Sequence, residues 1–166
     1  MDTDNQKLIL QLKSTNIDTA INALKLVRMS GKPEYADILL DVFFETKYED
    51  LKSQIILLFQ EMRDVDFASI WAENLEKYLG REKFSDIVAC GWMSPVDLSK
   101  NLMVFCRIIE NGNFMDAVEA LSVIEQNIHN LNPAENDDLE ICLNNIFKSL
   151  TEDKKSLLAS FIDPIE

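Results

Sequence analysis

The amino-acid sequence predicts an all-α protein built from stacked helical pairs. Three observations lead to this expectation: apolar residues recur at helical intervals, glycine and proline are scarce, and the chain contains a weak internal repeat. Of the 166 residues, only four are glycine and four are proline. Both residue types interrupt helices, so their rarity leaves long stretches in which helices form without a break.

The apolar spacing is helical in each long segment, and strand-like alternation is poorly supported. The clearest stripes are Ile17, Ile21 and Leu24; Leu51, Ile55, Leu58, Phe59 and Met62; and Ala117, Leu121, Ile124 and Ile128. Each stripe marks a helix face that needs a partner helix to bury it. Segment 98–109 has apolar residues on several faces, which predicts a helix at the centre of the stack.

Three prolines are predicted to begin helices. Pro33, Pro95 and Pro133 each precede an apolar-periodic run, and the first turn of a helix does not need the amide hydrogen that proline lacks. Ser94 stands before Pro95 and Asn132 before Pro133, and each offers a side-chain oxygen that caps a helix start. These positions therefore divide the chain into its expected helices.

Two stretches of the chain align with each other and define the repeat. Residues 43–51 correspond to residues 108–117, and the turn in the second stretch is longer by one residue. A helical pair placed between them, over about 66–93, and one at each end give about five pairs at a period of roughly 30 to 40 residues. No pair buries its apolar faces alone, so residues 1–166 are predicted to form one domain.

The second helix of the later stretch resembles a known family. Residues 116–124 read Asp-Ala-Val-Glu-Ala-Leu-Ser-Val-Ile and resemble the second helix of a HEAT repeat, and Pro33 or Pro95 fits the proline of a HEAT first helix. Glu119 stands where the family commonly has arginine, so armadillo-like repeats and generic helical hairpins remain alternative assignments for these units. The resemblance implies a right-handed α-solenoid of about five antiparallel pairs and a binding scaffold rather than an enzyme.

The charge balance separates classes of partner. Sixteen lysines and arginines stand against twenty-nine aspartates and glutamates, which gives a formal net charge of −13. Such an excess of acid repels phosphate backbones, so no nucleic-acid partner is expected, and a basic protein or peptide is favoured. Lys154 and Lys155, the longest local gathering of positive charge, are predicted to lie on a solvated helix face.

The sequence carries no sign of export or of a membrane span. Met1–Asp2–Thr3–Asp4 lacks the basic start of a secretory signal, and no apolar run approaches the roughly 20 residues of a spanning helix. The expectation is a soluble, cytoplasmic protein with no membrane partner. The three cysteines, Cys90, Cys106 and Cys142, lie far apart in apolar surroundings, which predicts buried free thiols.

No catalytic, metal or cofactor site is predicted. His129 is the single histidine, so the sequence cannot supply a metal site built from several histidines and has only one candidate base for a catalytic triad. His129 is expected to follow the last apolar turn of a helix. Asp64 and Asp66 are expected to charge a helix start. The alternative is a small helical enzyme or ligand-binding domain whose site is built from carboxylates and thiols such as Asp64, Asp66 and Cys90.

The leading prediction is a non-catalytic protein-interaction scaffold or adaptor that binds a protein or peptide. Trp92, Met93 and Trp71 are the candidate partner-binding residues, because tryptophan and methionine are enriched where proteins meet. Core packing of both tryptophans is the competing interpretation. A third hypothesis is a HEAT-like protein that binds the DNA backbone, and the net negative charge argues against it. Apolar residues near the C-terminus are expected either to pack into the core or to pack against a second copy in a homodimer: Leu157, Leu158, Phe161 and Ile162.

Overall fold

The computed structural model describes residues 3–162, and within that range the chain is helical and contains no strand. Its α-helices are, in order, α1 Thr3–Leu12, α2 Ile17–Ser30, α3 Tyr35–Glu45, α4 Glu49–Gln60, α5 Val65–Asn74, α6 Phe84–Met93, α7 Leu102–Asn111, α8 Phe114–Asn127, α9 Pro133–Phe147 and α10 Glu152–Ile162. Short 3₁₀ segments follow α5, precede α7 and follow α8. The prediction of an all-α protein is confirmed.

Side-chain caps explain where several helices begin. Asn16, Asp64, Asn113 and Asn132 each accept a hydrogen bond from a backbone N–H in the first turn of α2, α5, α8 and α9 respectively. At Asn113 and Asn132 the acid three residues on accepts the cap's own N–H in return, which completes a capping box. These bonds satisfy amide groups that the helices leave without an internal partner.

The three prolines have different positions. Pro133 is the first residue of α9, as predicted. Pro33 lies in the turn just ahead of α3, close to the predicted boundary. The prediction that Pro95 begins a helix is wrong: α7 starts only after a non-helical link and a 3₁₀ segment.

The link around Pro95 has its own hydrogen bonds. Ser94, expected to cap a helix start, instead ends α6 and its hydroxyl donates to the carbonyl of Gly91 at 3.1 Å. The backbone N–H of Leu98 donates to Oδ1 of Asn127 at 2.8 Å. Because α8 supplies that acceptor, the link is held by a residue far away in the sequence, which local pattern does not reveal.

Helix contacts follow the order of the chain. Helices α2, α4, α6, α8 and α10 contact one another in succession, while α3 contacts α5 and α7 contacts α9. Side-chain hydrogen bonds between helices within the described residues join positions 27 to 45 apart. The two aligned stretches fall at equivalent places, the connections between α3 and α4 and between α7 and α8. Each helix therefore contacts mainly its near neighbours along the chain.

An aromatic cluster fills the centre of the core. The ring of Trp71 in α5 lies 6.1 Å from that of Phe59 in α4 and 6.3 Å from that of Phe105 in α7. All three side chains are fully buried. Apolar residues on several faces of α7 are buried as well, as expected for a central helix. The core is therefore continuous from α4 to α7.

Gly91 permits a close approach of α6 to this cluster and to α8. A Cβ atom at position 91 would lie 2.8 Å from Cγ2 of Val123 and 3.1 Å from Cη2 of Trp71. Both contacts are closer than ordinary packing distance. The glycine inside α6 is thus explained by space rather than by backbone conformation.

Lys154 corrects one expectation about the C-terminal region. It is buried, not solvated, and its Nζ donates to the carbonyls of Ile109, Glu110 and Gly112 at 2.9, 3.2 and 2.5 Å. Carbonyls at a helix C-terminus lack internal partners and attract cations, so the ammonium group caps α7. Lys155 stays partly exposed and donates to the nearby Glu152 carboxylate.

The apolar C-terminal residues pack inward. Leu158 belongs to the core, and Leu157 and Phe161 are partly buried against it. The side chain of Ile162 and residues 1–2 and 163–166 lie outside the described part of the chain. Among the helices that the structure describes, none is both long and apolar enough to cross a bilayer.

Candidate interaction surface

The two tryptophans occupy different environments. Trp71 has no exposed surface, whereas Trp92 is 36% exposed at the end of α6. The structure therefore corrects the proposal that Trp71 contributes to a partner surface: it is a core residue, enclosed by aromatic rings. Trp92 and the neighbouring Met93 are both accessible.

The end of α6 is linked to both neighbouring helices. The indole N–H of Trp92 donates to Oε2 of Glu119 in α8 at 2.6 Å. On the other side, the side-chain amide of Gln60 in α4 donates to the sulfur of Met93 at 3.1 Å. These bonds hold two apolar side chains in place while leaving part of each exposed.

Exposed apolar residues continue on the helices to either side. Met29 in α2 is 83% exposed, and it follows Arg28, which forms an ion pair with Glu61, the residue that follows α4. Leu57 lies one turn before Glu61, and Met115 lies one turn before the residue that binds Trp92. Seven large apolar residues are exposed on α2, α4, α6 and α8, and Leu26 and Phe114 are two of them. We use the name apolar row for the other five: Met29, Leu57, Trp92, Met93 and Met115.

Two residues of the apolar row, Trp92 and Met93, were candidate partner-binding residues in the sequence; the other three were not. Met29, Leu57 and Met115 were not predicted as surface residues. A signal for Leu57 exists in the sequence, because it lies beside the Leu51–Ile55–Phe59 stripe rather than on it. An apolar residue outside the buried stripe is either packed against a second helix or exposed to solvent. The positions of the neighbouring helices decide between these two environments.

Charge differs along the apolar row. Helices α6 and α8 contain no lysine or arginine, and Asp86, Glu119 and Glu125 lie on their accessible sides. At the other end, α2 contributes the exposed cations Lys25 and Arg28. The α6–α8 end of the row is therefore acidic, whereas the α2 end carries Lys25, since Arg28 is paired with Glu61.

The residues of the alternative carboxylate and thiol site have structural roles. Asp64 caps α5 by accepting the N–H of Phe67 at 2.8 Å, and Asp66 lies exposed in the first turn of that helix. Cys90 is buried and its thiol lies 3.3 Å from the carbonyl of Asp86. Burial raises the pKa of Cys90 to about 12, which disfavours the thiolate needed for nucleophilic chemistry.

The other thiols and the histidine are separate from these residues. Cys106 is buried, and its pKa is raised by burial and by the neighbouring thiol of Cys142, which is partly exposed. His129 is exposed in the 3₁₀ segment that follows α8, the position expected from the sequence. Within residues 3–162, no group of three or more histidine, cysteine, aspartate or glutamate side chains is arranged to hold a metal ion.

One buried carboxylate lies at the turn between α7 and α8. Oδ2 of Asp116 accepts the N–H of Asn113 at 2.8 Å, whereas Oδ1 is buried without a hydrogen-bond partner. Burial raises the pKa of Asp116, and these capping bonds and the charge of Lys154 oppose the rise. Asp116 therefore holds the turn through its two bonds with Asn113.

The clefts lie between successive helices, and those that contain acids also contain cations. One of about 140 Å³ is lined by Glu61 and Asp64 together with Arg28 and Arg63. Another of about 290 Å³ lies between the α1–α2 and α3–α4 connections, and its lining includes Lys13, Glu45, Lys47 and Tyr48. Lys13 and Glu45 form an ion pair across it at 3.2 Å. Neutralised charges of this kind stabilise neighbouring helices and leave little net charge for a ligand.

Comparison of the chain with protein-family models, with curated proteins and with solved structures finds no match in any of the three.

Proposed function

We propose that this chain is a non-catalytic protein-interaction scaffold that binds a protein or peptide through its apolar row. We also propose that its helices form a right-handed α-solenoid of five antiparallel pairs, with units that resemble HEAT or armadillo-like repeats. Binding is the whole activity in this proposal. The buried and half-buried free thiols fit a reducing compartment such as the cytoplasm.

The order of helix contacts supports the solenoid. In a repeat protein each unit contacts only its neighbours, so interactions recur at about one repeat length. The hydrogen bonds between helices, which join positions 27 to 45 apart, have this property. The aligned stretches at the α3–α4 and α7–α8 connections are consistent with two copies of one unit.

The apolar row is the observation that carries the binding proposal. Contact of large apolar side chains with water is unfavourable, and burial against another molecule removes that cost. A patch of such side chains on the surface marks an interaction site. Trp92 is the strongest anchor, because tryptophan is enriched among the residues that dominate binding energy. Met93 and Met115 offer adaptable, polarizable contacts beside it.

The experiment is affinity capture from a lysate of the protein's own source. The wild-type chain is compared with a variant that combines Trp92→Ala and Met93→Ala, and with Ile141→Ala as the matched control. Ile141 is an exposed apolar residue on α9, outside the apolar row. We expect the wild type and the control to retain the same partner and the double variant to lose it.

Two results would contradict the scaffold proposal. One is the absence of any retained partner across a range of salt concentrations. The other is a partner that the double variant retains as strongly as the wild type does, since the apolar row would then not be the binding site.

A further inference from the structure

Helices α6 and α8, at one end of the apolar row, carry acids and no cation of their own. Neither helix contains a lysine or an arginine, and their accessible acids are Asp86, Glu119 and Glu125. The cation closest in sequence to α6 is Lys83, which is bound to the carboxylate of Glu49. None of these three acids forms an ion pair within 4 Å in the described part of the chain, so their charge is open to an external partner.

The bond between Trp92 and Glu119 places an apolar ring beside a carboxylate. A lysine or arginine side chain matches both groups, because its aliphatic stem packs on apolar surface while its charged end approaches the acid. The indole face also attracts cations directly. Met93 and Met115 extend the apolar area on α6 and α8. This end of the row thus offers contacts for alternating basic and apolar side chains.

Two other exposed apolar positions lack one of these properties. Met29 on α2 lies one turn after the exposed cation Lys25, so a basic partner is repelled there. Ile141 on α9 is 59% exposed and lies one turn after Asp137, but no tryptophan or methionine stands beside it on α9. Among the exposed large apolar residues in the described part of the chain, the aromatic ones, Trp92 and Phe114, lie on α6 and α8.

We infer that the α6–α8 end of the apolar row binds a segment of a partner protein rich in lysine or arginine and carrying apolar side chains. This inference rests on the proposed scaffold function and adds the chemistry of the partner. The net charge of −13 attracts such a segment from a distance, and the attraction weakens as salt screens it. The apolar side chains then supply contacts that salt does not weaken.

The test uses a synthetic amphipathic peptide of leucine and lysine without tryptophan. The protein has two tryptophans, and Trp71 is fully buried, so acrylamide quenching of the accessible fluorescence reports on Trp92. We expect the peptide to protect Trp92 in a saturable manner, with weaker binding at high salt. A lysine–serine peptide of equal charge and length is expected to bind about tenfold more weakly, because it lacks apolar anchors.

Protein variants locate the binding site while Trp92 stays in place as reporter. Met93→Ala and Glu119→Gln are each expected to weaken peptide binding by about tenfold, in the range found for important interface residues. Ile141→Ala and Asp137→Asn are the matched controls, because they remove an exposed apolar group and an acid from α9. Neither control is expected to change the affinity by more than about twofold.

Equal binding of the lysine–serine peptide would overturn the inference, because charge alone would then explain the interaction. Equal effects of the α6–α8 variants and the α9 controls would also overturn it, as would no protection of Trp92. If the leucine–lysine peptide fails while native partner capture depends on Trp92 and Met93, the scaffold function stands and the basic partner is wrong. If capture is independent of these residues as well, both proposals fail.

Discussion

The centre of the molecule and its C-terminal helix are held by different interactions. Around α5–α8 the contacts are apolar and dense: Trp71 and Phe105 are fully buried, and Gly91 leaves no room for a methyl group. Helix α10 is anchored by Leu158 and by the ammonium group of Lys154, which bonds to three carbonyls at the end of α7.

This difference predicts different responses to perturbation. Apolar packing involves many small contacts, so a defect at the centre lowers the stability of the whole domain. A polar anchor concentrates its contribution in a few bonds, so its loss releases mainly the helix that it holds. We therefore expect α10 to open before the central helices do.

The largest effect is expected for Trp71→Ala, which removes the side chain at the centre of the aromatic cluster. A cavity in a rigid core costs about 3–5 kcal/mol of unfolding free energy. Trp92→Ala is the control, and its cost should stay below about 1 kcal/mol because that ring is partly exposed. Urea unfolding measures both, and similar costs would contradict the assignment of Trp71 to the core.

Gly91→Ala tests the close approach of α6 to α8 and α5. Alanine normally favours a helix over glycine by about 1 kcal/mol. Here the added methyl group would lie 2.8 Å from Val123 and 3.1 Å from Trp71, so we expect a loss of about 1–3 kcal/mol instead.

The sign of the Gly91→Ala effect is decisive. Ser85→Ala on the same helix serves as the control, since it replaces a partly exposed residue, and it should change the unfolding free energy by less than about 0.5 kcal/mol. A stabilised Gly91→Ala variant would show that the two helices have room to separate.

Lys154→Met tests the anchor of α10. The variant keeps the aliphatic stem but leaves the carbonyls of Ile109, Glu110 and Gly112 without their donor, at a cost of about 1–3 kcal/mol. Amide hydrogen exchange should accelerate in α10 more than in α6. Lys155→Met is the control, expected to cost less than about 0.5 kcal/mol, since that lysine forms only an exposed local ion pair.

The smallest effect concerns the pH dependence of the α7–α8 turn. The pKa of Asp116 is raised by burial above its ordinary value of 3.8, so the folded state binds this proton more tightly than the unfolded state does. The resulting contribution to stability is present below 3.8 and is lost as pH rises through the folded pKa. Stability of the wild type relative to Asp116→Asn should therefore increase as pH falls.

Asp97→Asn is the control of opposite sign. Burial alone would raise the pKa of Asp97, but hydrogen bonds from Ser99 and Asn130 and the charge of Lys100 lower it overall. Its contribution to stability is therefore present above 3.8 and is lost as pH falls below that value. The stability of the wild type relative to Asp97→Asn should decrease there, whereas the Asp116 effect develops above 3.8. Urea unfolding at several pH values measures both differences, and equal slopes would refute the role given to Asp116.

The helices were predictable because the signals that form them are local. Apolar spacing and caps act within a few residues, so the stripe over Leu51, Ile55 and Phe59 lies in α4 as expected, and Asn132–Pro133 begins α9. The two helices expected over about 66–93 are α5 and α6. Two of the five residues of the apolar row, Trp92 and Met93, were candidates in the sequence, and Met29, Leu57 and Met115 were missed.

By itself the sequence determined the helical class, several helix starts and the acidic charge. Only the tertiary structure decided that Trp71 is buried and Trp92 exposed, that Pro95 lies in a link held by Asn127, and that Lys154 caps another helix. The physical reason is distance along the chain. A side chain's environment is set by helices about one repeat away, and the local pattern records only which face of a helix is apolar.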